Sequence, residues 1–264
     1  MKSLEEIRAR IGECDDAIID ALAKRMSHIQ EVIAYKKENG LPILQPEQEK
    51  KQWEALVNQL QGNEFEEEIL DIFTYIVKNS RKIQAKSLFS YNIMLIGFMG
   101  AGKSTVSSYL SRLLEMEEVE TDALIVEKEG KSIPRIFDEY GEEYFRNCES
   151  NTLTELQKKQ QVIVSCGGGI VLREQNVENM KKHGRIVLLT AEPETILERV
   201  KDSTERPILN NNMNTEFISQ LMDKRREKYL AAADIIVSTD KKTVPQICEE
   251  LVAKLIAMDK EEGR

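Results

Sequence analysis

Residues 97–105 read Gly97-Phe98-Met99-Gly100-Ala101-Gly102-Lys103-Ser104-Thr105, a complete G-x-x-x-x-G-K-S pattern. Glycines at these spacings let backbone amides turn inward around phosphate oxygens, at a helix N-terminus whose dipole favours the same anion. The side chain of Lys103 can reach β- and γ-phosphates, and the Ser104 hydroxyl can ligate Mg²⁺. The flanks suit the motif. Asn92–Ile96 is a short apolar run fit for a buried parallel strand, and Val106, Leu110, Leu113 and Leu114 follow at helical spacing. The pattern predicts binding of a nucleoside triphosphate.

Further along lie the other parts of a phosphoryl-transfer site. Glu120-Thr121-Asp122 falls where a second strand should end, a place where carboxylates can meet Mg²⁺ or a substrate hydroxyl. In Gly141-Glu142-Glu143-Tyr144-Phe145-Arg146 the arginine suits a bidentate contact with a carboxylate. Val162–Ser165 runs into Cys166-Gly167-Gly168-Gly169, a strand end where side chains vanish and bare backbone can approach a ligand. Arg206-Pro207 sits in a polar stretch, Asp202–Asn214, expected to act as a mobile lid.

Together these segments resemble the shikimate kinase family, over residues 92–258. The motifs that carry the resemblance are the G-F-M-G-A-G-K-S-T loop, G-E-x-x-F-R, the glycine run, R-P-I-L at Arg206, and R-x-x-x-Y at Arg225. The resemblance implies that Asp122, Arg146, Gly167, Gly168, Gly169 and Arg225 hold shikimate. ATP would lie against Gly100, Ala101, Gly102, Lys103, Ser104, Thr105 and Arg206, with Arg199 and Lys242 beside the adenine. Mg²⁺ would be held by Ser104 and, through water, by Glu120. Asp122 would orient or deprotonate the attacking hydroxyl, while Lys103 and Arg206 would stabilise charge on the transferring phosphoryl group. Two positions depart from the family pattern: Glu120 replaces the usual Asp, and Cys166 replaces Thr, Ser or Ala. The thiol is read as an inert small side chain.

These segments need a parallel sheet to position them. From Tyr91 onward apolar runs at Asn92–Ile96, Val162–Ser165, Arg185–Leu189 and Asp234–Val237, with a short strand around Val119, alternate with helical stretches. That alternation predicts an α/β unit with helices on both faces. Before residue 90 the chain differs in character. Ile7, Ile11, Cys14, Ile18, Leu22, Arg25, Ile29, Val32 and Ile33 repeat at three and four, the signature of one long amphipathic helix ended by Gly40-Leu41-Pro42. A second helix is expected over roughly 47–60 and a third over roughly 64–86. The first is on the order of 50 Å long and needs a partner chain to cover it. A boundary between residues 88 and 89 follows, giving two domains, 1–88 and 89–264.

The 264 residues carry a net charge of −9, which argues against a nucleic-acid-binding face. Cys14, Cys148, Cys166 and Cys248 show no paired or metal-type spacing and read as reduced thiols. Met1–Ile7 has no apolar core, and no run approaches a membrane span, so a cytoplasmic location without a signal peptide is expected.

The helical segment resembles the all-helical chorismate mutase family over residues 1–88. The motif is dispersed: I-R-x-x-I-x-x-x-D from Ile7 to Asp15, L-x-x-R ending at Arg25, Lys36, P-I at Pro42, Glu49, and S-x-x-x-Q at Ser80 and Gln84. Rearrangement of chorismate to prephenate is pericyclic. It needs cations for two carboxylates and donors where charge builds on the breaking ether oxygen, not a nucleophile or an acid–base pair. Arg25 and Lys36 are separated by about 20° in azimuth and about 16 Å along one helix, so both point the same way, whereas Arg8 projects about 100° off. The resemblance implies a pocket of Arg25, Lys36, Gln45, Glu49, Ser80 and Gln84, with Arg8 reaching in from a second subunit. Lys36 and Gln84 would hydrogen-bond the ether oxygen. Gln45 stands where the family often has Asp and Gln48 where it often has Arg, which weakens the positive field. His28 and Trp53 read as structural.

The combined reading is a bifunctional enzyme and homodimer: a helical chorismate mutase domain followed by an α/β shikimate kinase domain. The main alternative keeps the kinase and makes the helices a dimerisation or regulatory module without catalysis. A gluconate-type kinase is disfavoured by the paired carboxylate-binding arginines.

Overall fold

The computed structural model describes residues 3–39, 41, 45–201 and 214–263. Contacts divide the chain into two compact units, Met1–Leu88 and Phe89–Arg264. Arg206 and the stretch 202–213 lie outside the described residues, as do Gly40 and Pro42.

The first unit is all helical: α1 (Leu4–Asn39), α2 (Pro46–Leu60) and α3 (Glu66–Leu88). Helix α1 packs along α3. Both boundaries of the α2–α3 connection have local causes. Pro46 takes the first helical position of α2, where its fixed φ fits and its missing N–H costs nothing. Helix α3 starts two residues later than the periodicity suggested, because the Asn63 side chain accepts a hydrogen bond from the Phe65 amide (2.9 Å) and holds a turn there. His28 is not packed inside; its side chain is 72% exposed and lies against Glu31.

The second unit is a five-stranded parallel sheet, β1 (Asn92–Ile96), β2 (Glu117–Glu120), β3 (Val162–Ser165), β4 (Gly184–Thr190) and β5 (Ile235–Ser238), in the order β2-β3-β1-β4-β5. Between the strands run α4 (Lys103–Leu114), α5 (Thr121–Glu129), α6 (Ile133–Leu156), α7 (Glu174–His183), α8 (Pro193–Val200) and α9 (Thr215–Ala232), with α10 (Val244–Glu261) last. Every residue of β1 and β3 is buried, as a central parallel strand covered on both faces requires. Met94, Ile96, Val162, Val164, Ile186 and Leu188 pack with α6, α7 and α9 through Leu153, Leu156, Met180 and Tyr229. Ile93, Leu95, Ile163 and Val187, of opposite parity, are equally buried on the other face. Asn92 ties β1 to the neighbouring connection, donating to the Lys159 carbonyl (3.0 Å) and accepting from the Val162 amide (3.1 Å). Among the described residues no helix is long and apolar enough to cross a membrane.

Candidate functional site

The phosphate loop is built where β1 ends. Gly97, Gly100 and Gly102 all have positive φ, at 150°, 78° and 94°. A Cβ at Gly100 would lie 2.7 Å from Val200 Cγ1, and one at Gly97 would collide with the Leu189 carbonyl, so both turns demand glycine. At Gly102 the space is open, with Arg199 Nη1 nearest at 3.8 Å. The Lys103 ammonium folds over this loop, donating to the carbonyls of Gly97 (3.0 Å) and Phe98 (3.2 Å). Ser104 and Thr105 occupy the first turn of α4, both exposed. The hydroxyl of buried Ser107 lies within hydrogen-bond distance of the Ser104 carbonyl (3.0 Å) and of Glu118 on β2.

The wall opposite the loop joins β2–α5, α6 and the glycine run. Glu120 caps α5 with extended backbone, in register with Ser165 on β3. Thr121, fully buried, accepts from the Gly167 amide (2.8 Å) and donates to the Ser165 carbonyl (3.4 Å). This pins the start of α5, and Asp122 with it, to the glycines. A Cβ at residue 167 would sit 2.5 Å from Asp122 Oδ1 and 2.7 Å from Glu149 Oε1, so any larger residue would displace both carboxylates.

Helix α6 breaks at Gly141, whose φ of 81° and ψ of 171° are not helical. The break re-aims the second half of the helix, so that Arg146 and Glu149, one turn apart, both turn inward. Arg146 Nη1 donates to Glu149 Oε2 (2.6 Å) and Nη2 to Glu142 Oε1 (2.8 Å). A Cβ at Gly169 would fall inside the Arg146 guanidinium. Burial works against the charge of Arg146, but Glu149 and Glu142 together outweigh it and the pKa rises. Glu149 is fully buried with Oε1 lacking a hydrogen-bond partner, and burial holds its pKa up at about 7, Arg146 opposing and Asp122 adding to the shift. On α9, buried Arg225 hydrogen-bonds Tyr229, whose hydroxyl donates to the Gly168 carbonyl. Arg225 is thereby held beside the same glycine run.

On the other flank of the loop, Arg199 Nη1 donates to the Gly100 carbonyl (3.1 Å) and to Thr239 Oγ1 (3.0 Å). Lys242 belongs to the same β5–α10 connection as Thr239, but its ammonium is committed to Glu250 (2.6 Å) and the Ser238 carbonyl (3.1 Å). Cys166 is buried between Val164 and Met180, and burial pushes its thiol up to about 12, so it is not a thiolate nucleophile near neutral pH.

In the helical unit a second cluster forms where the three helices meet. Arg25 on α1 donates to Ser80 on α3, whose hydroxyl donates to the Ile76 carbonyl (2.8 Å). Glu49 on α2 accepts from Arg81 Nε (3.1 Å) and Nη2 (2.6 Å). Burial lowers the pKa of Lys36, and the charge of Glu49 acts in the opposite sense. Gln84 lies one turn beyond Ser80, half-buried. Gln45 is exposed at the N-cap of α2 without a side-chain capping bond. Arg8 is exposed and about 25 Å along α1 from Arg25, too far to join this cluster within one chain.

Three residues of these sites escape a reading of the sequence. Glu149 lies at i+3 from Arg146, which is a signal only once the inward face of α6 is known. Tyr229 closes the R-x-x-x-Y motif, which does not show its hydroxyl reaching Gly168, and Arg81 follows Ser80 as one more cation on a charged helix.

A glycine-rich loop between a buried parallel strand and a helix, facing paired arginines across a glycine run, defines a small-molecule kinase of the P-loop class. Comparison with known proteins narrows it. The shikimate kinase family model matches residues 99–256, and that for chorismate mutase type II matches residues 7–85. The shikimate kinase of Dehalococcoides mccartyi is 44% identical over 164 residues, 62% of this chain and 93% of the relative. That of Bacillus anthracis is 41% identical over 164 residues, covering 62% and 98%. Among solved structures, Acinetobacter baumannii shikimate kinase in complex with shikimate superposes with a TM-score of 0.63 at 30% identity, covering 66% of this chain and 97% of that one. The Aquifex aeolicus shikimate kinase gives 0.55 at 39% identity, covering 66% and 99%. The chain belongs to the shikimate kinase family and carries a type II chorismate mutase domain ahead of its kinase domain.

Proposed function

We propose that the chain transfers the γ-phosphoryl group of ATP to shikimate at the α/β unit and converts chorismate to prephenate at the helical unit, with the functional boundary between Leu88 and Phe89. The first assignment is carried by the pocket in which the phosphate loop faces Asp122, Arg146, Glu149 and Arg225 across Gly167–Gly169. Arg146 and Arg225 neutralise the acceptor carboxylate as charge-assisted donors. Asp122, fixed through Thr121, orients or takes the proton of the attacking hydroxyl. Lys103 leaves the loop carbonyls for the phosphates and, with Arg206, stabilises the charge that develops in transfer. Arg199 braces the loop on the adenine side, with Lys242 in the neighbouring connection.

Mg²⁺ suits the donors present. Ser104 and Glu120 offer hydroxyl and carboxylate oxygens, the hard ligands this ion takes, and phosphates and water would complete its shell. When bound there it neutralises charge on the transferring group.

The mutase assignment is supported by a cluster of cations and neutral donors without a nucleophile, which is what a pericyclic rearrangement of a dicarboxylate needs. Arg25 and Lys36 meet the carboxylates, Lys36 and Gln84 the ether oxygen, and Glu49, Ser80 and Gln45 complete the pocket. Arg8 serves the pocket of a second subunit in a homodimer formed through α1, and the enzyme works in the cytoplasm without a nucleic-acid or membrane partner. The test is ADP formation with shikimate against neutral polyols, together with chorismate consumption by residues 1–88. ADP formation with polyols and not with shikimate would refute the kinase half, and no chorismate consumption the mutase half.

A further inference from the structure

Gly100 stands at the third position of a turn in the phosphate loop. The Ala101 amide donates back to the Phe98 carbonyl (3.1 Å), and the φ of 78° at Gly100 suits that position. On the opposite edge of the same peptide, the Gly100 carbonyl accepts from Arg199 Nη1 (3.1 Å). Arg199 comes from the last turn of α8 and is exposed, so its long side chain loses many rotamers in holding this bond. Thr239 fixes its far end. This residue is 1% exposed; its Oγ1 accepts from Arg199 Nη1 (3.0 Å) and donates to the Thr190 carbonyl (3.1 Å), and its own carbonyl accepts from Arg199 Nη2 (3.3 Å). Asp240, next in the chain, accepts from the Glu192 amide at the N-cap of α8, at 3.1 Å to each oxygen. The β5–α10 connection therefore grips α8 at both ends.

We infer that Thr239 is a positioning residue of the nucleotide site, holding the Arg199 guanidinium against Gly100 so that the phosphate loop keeps its turn before ATP arrives. This rests on the reading of the α/β unit as an ATP-dependent kinase. A loop that is already set loses no binding free energy to its own ordering, so the benefit falls on nucleotide affinity and not on the transfer step. The acceptor side is left alone, since Arg146 and Arg225 are held by Glu149 and Tyr229. Removing the Thr239 hydroxyl also leaves the Thr190 carbonyl satisfied, because it accepts from the Thr239 amide as well (2.8 Å). A loss in binding can thus be separated from a loss in folding.

The experiment is calorimetric titration of ADP, with Mg²⁺ present, into the full chain and into Thr239→Val, Thr239→Ala, Thr239→Ser, Arg199→Ala and the double variant Thr239→Val/Arg199→Ala. Melting temperature and steady-state shikimate phosphorylation are measured alongside. Thr239→Val and Thr239→Ala are expected to weaken ADP binding and raise the KM for ATP about tenfold, the size of one hydrogen bond to a charged group. Their kcat at saturating ATP should stay within about twofold, at an unchanged melting temperature. Thr239→Ser, which keeps the hydroxyl, should recover most of the affinity. In the Arg199→Ala background the Thr239→Val substitution should cost less than about twofold, because no guanidinium remains to be held. Unchanged ADP affinity in Thr239→Val, a loss confined to kcat, or equal losses in both backgrounds would overturn the inference. An unaltered chain that binds no ADP would overturn the kinase reading itself, and this inference with it.

Discussion

In the α/β unit β1 and β3 are buried at every residue, whereas α1 runs for 36 residues and among them buries Ile33 alone. Ile11, Ile18 and Ile19 of α1 are 55%, 56% and 63% exposed, and Ile72 and Tyr75 on α3 are 59% and 68% exposed. A covered sheet closes its own core and can hold a site with residues of one chain. Helices α1 and α3, packed along each other, leave these apolar side chains exposed within one chain. The sites differ in the same way. The kinase pocket is pinned by hydrogen bonds that cross the sheet, such as Gly167 to Thr121, because phosphoryl transfer depends on close placement of donors. The helical cluster offers charge on half-exposed side chains and leaves Arg8 about 25 Å along α1 from Arg25, out of reach of the cluster within one chain.

The separation of the two units is tested most severely by Lys103→Ala. Phosphorylation of shikimate should fall on the order of 10³-fold in kcat, since a donor aimed at the transferring group is lost. Chorismate consumption should stay within about twofold, because the two sites belong to separate compact units. Loss of both in a folded variant would join what the comparison holds apart.

Next in size are the acceptor arginines. Arg146→Ala or Arg225→Ala should each cost roughly 2–4 kcal/mol in kcat/KM for shikimate, with the Michaelis constant for ATP little changed. Near-normal efficiency in Arg146→Ala would place the acceptor carboxylate elsewhere.

The exposed stripe sharpens the contrast through size. Light scattering should give a dimer for the full chain and a monomer for residues 89–264. A monomeric full chain would remove the reason for assigning Arg8 to a neighbour's pocket.

The smallest effect concerns Glu149. Its folded-state pKa, about 7, lies above the ordinary value of 4.5, so the folded chain binds the extra proton in that interval. The stability this proton supplies is full below about 4.5 and is lost as pH rises through about 7. Melting curves from pH 4.5 to 8 should therefore show the unaltered chain losing ground to Glu149→Gln as pH rises. Parallel curves would mean that Glu149 titrates normally.

Contiguity decided what could be read from residues alone. The phosphate loop, with its strand before and helix after, is local chemistry on the contiguous residues 92–114, and its geometry follows the pattern. The link between Thr121 and Gly167 joins segments 46 residues apart, so nothing in either segment announces it. Arg146 was legible by type, but its partner Glu149 depended on the Gly141 break that turns both inward, a feature visible as a glycine and not as a direction. The helical motif is spread over three helices, and spacing alone aligned Arg25 with Lys36. It could not show that Arg81 would reach across to Glu49. Lys242 is expected beside the adenine, and nothing in its own segment announces that its ammonium meets Glu250 on α10.

On the function proposed above, one chain carries two working sites. The most direct test is a measurement of both reactions on a single purified preparation of the full-length protein: shikimate-dependent ADP formation and chorismate consumption. Both should appear, in the same fractions and in constant ratio through purification. Shikimate phosphorylation with no chorismate consumption would contradict it, leaving the helices as a module without catalysis.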